Sequence, residues 1–399
     1  MQRHKNHEKI ILFCTEDTVM RVTYLVETDA YLESGVNLKI KGQFTTWKKA
    51  KIDCQLVIVS PRSLNKVNSS IFNNPDEFLV TYLNLGVGKF KFVFVNKVLK
   101  AFALRKAKKI IELFDPDVIY YRQSSWTPGI VDVLKQATVR IFEINSDDVR
   151  EIQMHSTMVR KYYYTFTRRF LLHVANGFVC VTNEIGNMYK FLEKPLTVIA
   201  NGYDVSLVNP RRPCFRFPIR IVFAGSKGMP WHGVDKVLQL AKLLPDIEFH
   251  IVGGLLSSSS LPQNVIDHGY LTPRQLMNLY QEMDLGLSTL ALFRKGMQDA
   301  CPLKSREYLA HGLPVIGAYS DPDLSGEEFF LEIPNEEFGI IKAKDTILDF
   351  ANQWKGKSID LHRVKDLIDY VGKEQKRLSF IKEVLDISGN SQSVTNTTF

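Results

Sequence analysis

The sequence lacks the features that define several large classes of protein. Its 399 residues include no run of 18 apolar residues that is free of charge, so we predict no membrane-spanning helix. It contains no Walker A loop, zinc-finger spacing or RNA-binding aromatic motif, so we expect no nucleic-acid partner. The five cysteines form no CxxC pair and are odd in number, which indicates free thiols and a reducing, cytoplasmic location.

Acidic residues are missing from one long segment of the chain. Residues 78–111 contain eight Lys or Arg and no Asp or Glu, while the whole chain carries a net charge of +8. A second basic segment, 160–169, includes three consecutive tyrosines. Positive surfaces attract anionic partners, and basic segments of this kind are typical of proteins that touch acidic lipid. Residues 89–109 and 160–169 are therefore candidates for contact with the inner face of the cytoplasmic membrane, with a solvated helix face as the alternative.

What the chain does contain is an alternation of short apolar strands and longer amphipathic helices. This alternation is typical of parallel α/β layers. The predicted strands of the first half are Lys9–Cys14, Gln55–Ser60, Val118–Tyr121, Val139–Ile144 and Gly177–Thr182. The alternation restarts near Asn201, and the predicted strands of the second half are Arg220–Ala224, Glu248–Val252, Leu285–Thr289 and Pro314–Gly317.

The division into domains is predicted from length and composition. At about 100–200 residues to a domain, two domains are expected. Residues 209–218 contain three prolines and three arginines and form the most linker-like stretch. We predict an N-terminal Rossmann-like domain at 1–205 and a C-terminal one at 206–371. A helix at about 372–388 is expected to pack back on the N-terminal domain, and residues 389–399 are expected to be a disordered tail.

A glycine-rich loop follows the predicted strand Arg220–Ala224. The loop runs from Gly225 to Gly233, carries Lys227 and His232, and leads into a helix. Backbone N–H groups at the start of a helix, together with a nearby cation, form a binding site for a diphosphate. The alternative is an ordinary turn with a solvated lysine. Gly253, after the next strand, suits the close approach of a flat base or a sugar.

A second segment with binding potential runs from Asp299 to Glu307. Pro302 is a favoured first-turn residue, so we predict that a helix begins there. Lys304 and Glu307 lie three residues apart and share a face of this helix. The Glu307 carboxylate can accept two hydrogen bonds from a vicinal diol such as a ribose. The alternative is a surface helix with a salt pair.

These segments, in this order, resemble retaining glycosyltransferases of the GT-B fold. The resemblance is specifically to glycosyltransferase family 4 (glycosyl transferases group 1) of bacterial polysaccharide and lipopolysaccharide biosynthesis. The segments that carry it are Val198–Asp204, Phe223–Lys227, Pro230–Asp235, Phe249–Gly253, His268–Leu271 and Pro302–Val315. The first half is similar only in outline, at Pro116–Arg122 and Phe142–Asn145. The resemblance implies two Rossmann-like domains facing each other across a cleft, with the acceptor on the N-terminal and the donor on the C-terminal domain.

The resemblance also implies roles for individual residues. Donor binding is assigned to Ser226, Lys227, His232, Gly253, Tyr270, Cys301, Leu303, Lys304 and Glu307, and catalytic roles are assigned to Lys227, Asp299 and Glu307. His232 stands where the family usually has a lysine, so its contact with phosphate is expected to depend on its protonation. Glu307 would bind the ribose, Asp299 the donor sugar, and the backbone of Tyr270 the base. The family's Gly-rich N-terminal loop is missing, and Asp17–Arg21 is predicted to occupy its place.

The activity implied by the resemblance is transfer of a hexosyl or N-acetylhexosaminyl group from a nucleotide sugar to a glycan or lipid-linked saccharide. UDP-sugars are favoured as donors, GDP-sugars come next, and the products would be polysaccharide, lipopolysaccharide or capsule. Retention of anomeric configuration without metal or cofactor is also implied. A sugar-nucleotide epimerase on the same fold and a non-catalytic nucleotide-sugar-binding subunit of a glycan assembly complex stay open. A nicotinamide-dependent dehydrogenase is disfavoured because no glycine lies between Cys14 and Gly35.

Overall fold

A computed structural model describes most of the chain. It covers residues 20–32, 34–62, 70–85, 90–212, 214–215, 217–226, 228–254 and 261–395, with the backbone alone at 90–94, 155 and 390–395. The predicted strand Lys9–Cys14, residues 17–19 of the predicted loop Asp17–Arg21 and the phosphate-binding side chain of Lys227 lie outside the described residues.

In the described part of the first half, seven parallel strands form one sheet. They are β1 (Arg21–Glu27), β2 (Asp53–Arg62), β3 (Glu77–Leu83), β4 (Val118–Arg122), β5 (Val139–Ile144), β6 (Gly177–Cys180) and β7 (Leu196–Val198). Their order in the sheet is β3-β2-β1-β4-β5-β6-β7. Val22 to Val26 are all buried, as expected for a parallel strand covered on both faces. Arg21, the last residue of the predicted loop Asp17–Arg21, is the first residue of β1.

The residues that the structure describes in the second half form a sheet of six parallel strands. They are β8 (Ile219–Ala224), β9 (Ile247–Val252), β10 (Val265–Asp267), β11 (Leu285–Leu287), β12 (Val315–Gly317) and β13 (Phe330–Glu332). Their order is β10-β9-β8-β11-β12-β13. The predicted fold class, α/β with two Rossmann-like sheets, is confirmed, because each sheet winds outward in both directions from a central pair of strands.

Helices cover both sheets and connect their strands. The helices along the first half are α1 (Gly35–Lys49), α2 (Phe90–Phe114), α3 (Ile130–Leu134), α4 (Asp148–His155), α5 (Met158–Val174) and α6 (Asn183–Asn187). Those along the second half are α7 (Val234–Leu243), α8 (Pro273–Tyr280), α9 (Leu303–Ala310), α10 (Gly339–Lys342), α11 (Lys344–Trp354), α12 (Leu361–Ile368) and α13 (Tyr370–Thr395). Among the helices within the described ranges, none combines the length and apolar character needed to cross a lipid bilayer.

The carboxyl ends of the two sheets face each other across a cleft. On the N-terminal side, α1 begins at Gly35, and a Cβ there would lie 3.1 Å from the Leu303 side chain at the start of α9. The Glu151 carboxylate on α4 pairs with Lys295 at 2.7 Å. In parallel sheets, ligands bind beyond the carboxyl ends, where the strand order reverses. The two reversal points, β1/β4 and β8/β11, therefore both open toward the cleft.

The chain crosses between the sheets twice, and the two crossings lie side by side. The first leads from β7 to β8, and the second from α12 to α13. The N–H of Tyr203 donates to the carbonyl of Ile368 at 2.8 Å. A side chain at position 202 would collide with its neighbour, because a Cβ on Gly202 would lie 2.8 Å from the Tyr370 ring. These contacts tie the Asn201-Gly202 segment to the return of the chain.

Helix α13 packs against the first sheet although it is last in the sequence. Phe380, Ile381 and Val384 are buried in the same core as Val22 of β1. The Trp47 indole of α1 donates a hydrogen bond to the Glu374 carboxylate at 2.7 Å. The helix runs to Thr395, whereas the sequence suggested a disordered tail from 389 onward.

Candidate functional site

The loop between β8 and α7 is fixed at the reversal point of the second sheet. Its residues Pro230–His232 form one turn of 3-10 helix, and Gly233 adopts a φ of 77° before α7 begins. A Cβ at Gly233 would lie 3.1 Å from the Leu290 side chain, so only glycine fits there without displacing the loop that follows β11. The N–H groups of Leu290 and Ala291 donate to the carbonyls of His232 and Trp231. The loop is thereby held over the carboxyl ends of β8 and β11.

His232 is held in one tautomer inside this loop. Its Nδ1 accepts a hydrogen bond from the N–H of Ser226 at 3.2 Å, so the ring proton sits on Nε2. Burial, and then the positive charges of Lys304 and Lys295, lower the pKa of His232 to about 3. The imidazole is therefore neutral at pH 7 and offers a single N–H donor. This differs from the expectation that His232 contacts phosphate through a change in its protonation.

Lys304 connects the start of α9 with the end of β8. Its Nζ donates to the carbonyl of Ala224 at 3.2 Å and lies 4.5 Å from the centre of the Phe223 ring. Burial lowers the pKa of Lys304 to about 7. No side chain caps α9 at Pro302, and the first N–H groups of a helix have no partner within it. The cation and these free amides lie at the same end of α9, which makes an anion-binding position.

Glu307 lies one turn further along α9 and is half-buried. Within the part of the chain that the structure describes, its carboxylate has no hydrogen-bond or ion-pair partner, so the sequence alternative of a Lys304–Glu307 salt pair is wrong. Burial raises the pKa of Glu307 to about 7. Tyr203, Tyr280 and Tyr308 are near enough for its charge to raise their pKa values too. A carboxylate kept unpaired at such a position is available to a ligand that donates hydrogen bonds.

Glycines and one tyrosine form a flat surface beside the loop. Gly253 has a φ of 120°, and a Cβ there would overlap the Gly225 carbonyl. A Cβ on Gly254 would lie 2.5 Å from the Tyr270 ring, so that ring lies directly on the backbone of Gly254. The Tyr270 side chain is otherwise exposed. Backbone and an aromatic ring without protruding side chains leave room for a planar group.

Asp299 is engaged at the boundary between the two sheets. Its carboxylate accepts the N–H of Glu184, at the first turn of α6, at 2.9 Å. The Glu184 carboxylate in turn accepts the N–H groups of Gln298 and Asp299, both at 2.8 Å. The structure therefore places the Asp299 side chain in a contact that ties α6 to the second sheet. It does not present that carboxylate as a free group beside Glu307.

Cys301 and Asn201 anchor α9 from below. The Cys301 side chain is buried, its thiol donates to the Val181 carbonyl at 3.3 Å, and burial raises its pKa to about 11. The side-chain amide of Asn201 donates to the Cys301 carbonyl at 2.7 Å, and the backbone carbonyl of Asn201 accepts from the Arg306 guanidinium at 3.2 Å. Arg306 is fully buried against the Asp321 carboxylate. The Asn201-Gly202 crossing thus sets the position of α9, and the protonated Cys301 side chain is structural.

A cavity of about 440 Å³ lies on the opposite wall of the cleft, and sequence reasoning assigned no residue to it. Residues 122–125 and 144–146 line it at the ends of β4 and β5, and Met229 and Trp231 line it from across the cleft. The rest of the lining comes from α4, α5 and the segment between them: Asp148, Glu151, Ile152, Ser156, Arg160 and Tyr164. Two segments that resembled the family in outline, Pro116–Arg122 and Phe142–Asn145, end in it. These two segments were the only feature of the sequence that pointed to this cavity.

Polar side chains at this cavity are held by charged partners. Asp148 accepts hydrogen bonds from Gln123 at 2.7 Å, Tyr189 at 3.1 Å and Arg168 at 2.7 Å, and also from Tyr164. Below it, the fully buried Glu143 pairs with Lys39 at 2.8 Å and with Arg122 at 3.3 Å. Burial alone would raise the pKa of Glu143, but these cations and Arg377 hold it well below its usual range. The cavity wall is therefore polar and preorganised.

Comparison with known proteins rests on structure alone, because no family profile and no curated protein matches the sequence. Sucrose-phosphate synthase from Thermosynechococcus elongatus aligns with a TM-score of 0.68 and 14% identity over 92% of this chain and 100% of that chain. The pneumococcal O-GlcNAc transferase GtfA, solved with UDP and GlcNAc, aligns with a TM-score of 0.59 and 11% identity over 92% of this chain and 100% of that chain. The lipopolysaccharide outer core galactosyltransferase WaaB aligns with a TM-score of 0.57 and 13% identity over 91% of this chain and 99% of that chain. At such low identities the likeness shows the fold, and the predicted GT-B fold is confirmed.

Proposed function

We propose that this GT-B chain is a glycosyltransferase that moves a sugar from a nucleotide-sugar donor to an acceptor bound in the cleft. One observation carries the proposal: Glu307, half-buried without a partner among the described residues, lies one turn from Lys304 at the open start of α9. A carboxylate that accepts from a diol and a cation beside free amides are the two contacts that a nucleoside diphosphate needs.

Each part of the donor has a proposed contact. The ribose hydroxyls donate to Glu307, and the base lies near Gly253 and the backbone of Tyr270. The diphosphate is bound by the donors that surround the start of α9. These are the N–H groups of Cys301, Leu303 and Lys304, the Lys304 ammonium, Ser226 and the Nε2–H of His232. The resemblance adds the side chain of Lys227, which lies outside the described residues. Lys227 keeps the catalytic role that the resemblance implies, since it belongs to the loop that ends at His232.

The chemistry proposed for this site is stabilisation of a leaving group. Breaking the bond between the anomeric carbon and the diphosphate places negative charge on the diphosphate oxygens. Cations and helix amides that already point at those oxygens bind the transition state more strongly than the ground state. Lys227, Lys304 and the start of α9 supply this charge. Transfer without a metal and with retention of configuration is part of the proposal on the strength of the resemblance. Asp299 remains the candidate for the donor-sugar contact.

The acceptor is proposed to bind in the cavity at the ends of β4 and β5. Its polar lining suits a glycan or a lipid-linked saccharide, and Trp231 from the donor side closes it. The complex of GtfA with UDP and GlcNAc supports a UDP-sugar as the first donor to test, with GDP-sugars next. Cys54, Cys180, Cys214 and Cys301 are free thiols, which supports a reducing, cytoplasmic location.

The deciding experiment is a thermal-shift screen of UDP, GDP, ADP and NAD, followed by turnover of sugar nucleotides based on the best nucleotide. We expect stabilisation by UDP, release of UDP from its sugar nucleotide, and glycosylation of a saccharide acceptor. Conversion of one sugar nucleotide into its epimer would identify an epimerase, and binding without any turnover would identify a binding subunit. Stabilisation by NAD alone would overturn the proposed donor site.

A further inference from the structure

Helix α5 presents a stripe of large apolar side chains to solvent. Met158, Tyr162, Phe166 and Phe170 follow one another at four-residue spacing, and each is between 41% and 71% exposed. Four-residue spacing places them on one face of the helix. A contiguous apolar surface of this kind marks a site of contact with another apolar phase.

The apolar stripe is flanked by positive charge. Helix α5 contains four Lys or Arg and no Asp or Glu. Arg168 pairs with Asp148 at 2.7 Å, whereas the guanidinium of Arg169 lies 4.3 Å from the centre of the Phe166 ring and 5.2 Å from that of Phe170. Arg160 and Lys161 lie between Met158 and Tyr162 on the same helix. Cations beside aromatic rings with no carboxylate on the helix suit an anionic surface.

Helix α2 extends this surface. The Lys97 Nζ lies 5.0 Å from the centre of the Tyr163 ring and donates to the Trp126 carbonyl at 2.7 Å. The Trp126 ring lies 6.2 Å from the Tyr163 ring and also 6.2 Å from the Phe170 ring, so α2 and α5 adjoin. On α2, Phe102 is exposed, and the Arg105 guanidinium lies 5.2 Å from its ring centre. We call this surface the α2–α5 face: Val98, Phe102, Arg105, Lys106, Lys109, Met158, Arg160, Lys161, Tyr162, Phe166, Arg169 and Phe170.

An apolar groove of about 570 Å³ lies at one end of the α2–α5 face. Its apolar lining comes from Trp126, Val131, Phe170 and Val174, and Lys135, Arg169 and His173 complete it. The groove and the stripe share Phe170. An apolar groove with a cationic rim suits the acyl chain of a lipid whose headgroup is anionic.

We propose that the α2–α5 face docks on an anionic lipid bilayer, with the stripe of α5 among the acyl chains and the flanking cations on lipid phosphates. A polyanion such as nucleic acid would use the cations but leave four large apolar side chains in water. A second copy of the chain would bring like charges together. The bilayer satisfies both components at once.

Docking in this orientation brings a lipid-linked acceptor to the cleft, and this consequence rests on the proposed function. Arg160 and Tyr164 of α5 also line the cavity at the ends of β4 and β5. The stripe faces solvent from the same helix. A saccharide on a lipid anchor can therefore reach the cavity while its anchor stays in the membrane.

Vesicle flotation tests the docking directly. The full chain is mixed with vesicles of phosphatidylcholine alone or with an added third of anionic phospholipid, at low and high salt. We expect binding to the anionic vesicles that weakens with salt. The double variant Tyr162→Ser/Phe166→Ser and the double variant Lys161→Gln/Arg169→Gln should each bind at least tenfold more weakly. Phe338→Ser, which removes an equally exposed aromatic ring from the other domain, should bind like the wild type.

Two measurements keep this test independent of the proposed activity and of folding. Each variant should unfold at the wild-type temperature, and each should transfer sugar to a soluble acceptor at the wild-type rate. If the proteins bind anionic vesicles but none of them transfers sugar, the proposed docking is supported and the proposed function is contradicted. Wild-type binding by Tyr162→Ser/Phe166→Ser, or preference for a nucleic acid over anionic vesicles, would overturn the docking.

Discussion

At the scale of single residues, Lys304 and Glu307 show opposite pKa shifts with one cause. Burial disfavours the charged form of each group, so the pKa of Lys304 falls to about 7 and that of Glu307 rises to about 7. Neither shift is cancelled by the other, because the two side chains do not pair. In the free protein, the charged forms of both groups are therefore unfavourable. A ligand that pairs with both removes that cost and binds more tightly.

Replacement of Glu307 tests the ribose contact. Glu307→Gln should lower UDP affinity by about 10- to 100-fold, because a charged acceptor of two hydrogen bonds is lost. Its affinity for inorganic pyrophosphate, which has no ribose, should stay at the wild-type value. Calorimetric titration of both ligands gives the comparison, with the exposed Glu336→Gln as matched control. Unchanged UDP affinity in Glu307→Gln would remove the residue from the site.

The lowered pKa of Lys304 predicts a pH dependence with a defined sign. Below about pH 7 the ammonium is charged and attracts the diphosphate, and above it the charge is lost. The UDP affinity of Lys304→Met should therefore be at least about tenfold below the wild type at pH 6, with the gap narrowing toward pH 9. Calorimetry across this range, with Lys344→Met as control, checks it. A ratio of wild-type to Lys304→Met affinity that does not change with pH would contradict the lowered pKa of Lys304.

The same lysine predicts a stability change in the absence of ligand. Its pKa in the folded protein lies below the ordinary lysine value of 10.5, so its charged form opposes folding fully below pH 7 and has no effect above about pH 10.5. Lys304→Met should therefore melt at a higher temperature than the wild type at pH 6, and the difference should vanish at high pH. Thermal unfolding at several pH values measures this. A lower melting temperature at pH 6 would show that the ammonium stabilises the free protein.

At the scale of elements, the sequence predicted four strands of each sheet within two residues of their observed bounds. They are β2, β4, β5 and β6 in the first sheet and β8, β9, β11 and β12 in the second, and in most of them the apolar run ends at a polar or turn residue. The strands β1, β3, β7, β10 and β13 were missed; β1 begins and ends at a charged residue and β3 begins at one, which shortens their apolar runs. Lys304, Glu307 and His232 were found because they lie within or next to clear strand-to-helix turns. The contact of Asp299 with α6 joins residues 115 positions apart, which no local pattern reports.

Helix α13 should carry much of the stability of the first sheet. Ile381 is fully buried, so Ile381→Ala leaves a cavity and should lower the free energy of unfolding by about 2–5 kcal/mol. Val371→Ala on the same helix, where the side chain is exposed, should change it by less than about 0.5 kcal/mol. Urea denaturation of the two variants tests the assignment. Equal effects would mean that α13 does not cover the sheet.

At the scale of the whole molecule, the contact between α6 and the second sheet should matter for turnover more than for donor binding. All the proposed donor contacts lie on the C-terminal side, whereas transfer needs both walls of the cleft. Glu184→Ala removes two hydrogen bonds across the cleft, so the transfer rate should fall by about tenfold or more while UDP affinity stays within about twofold. The exposed Glu328→Ala serves as control. Loss of UDP affinity in Glu184→Ala would show that the donor site extends across the cleft.

The placement of α13 has a consequence for biosynthesis. As the polypeptide leaves the ribosome, the six strands of the second sheet are all available before residue 370 emerges, and that sheet is complete at that moment. The first sheet keeps an uncovered hydrophobic face until α13 has emerged as well, because side chains of α13 complete its core. Domains that are synthesised first usually fold first, so the order is reversed in this protein. The uncovered face of the first sheet is a site where a chaperone can bind during synthesis.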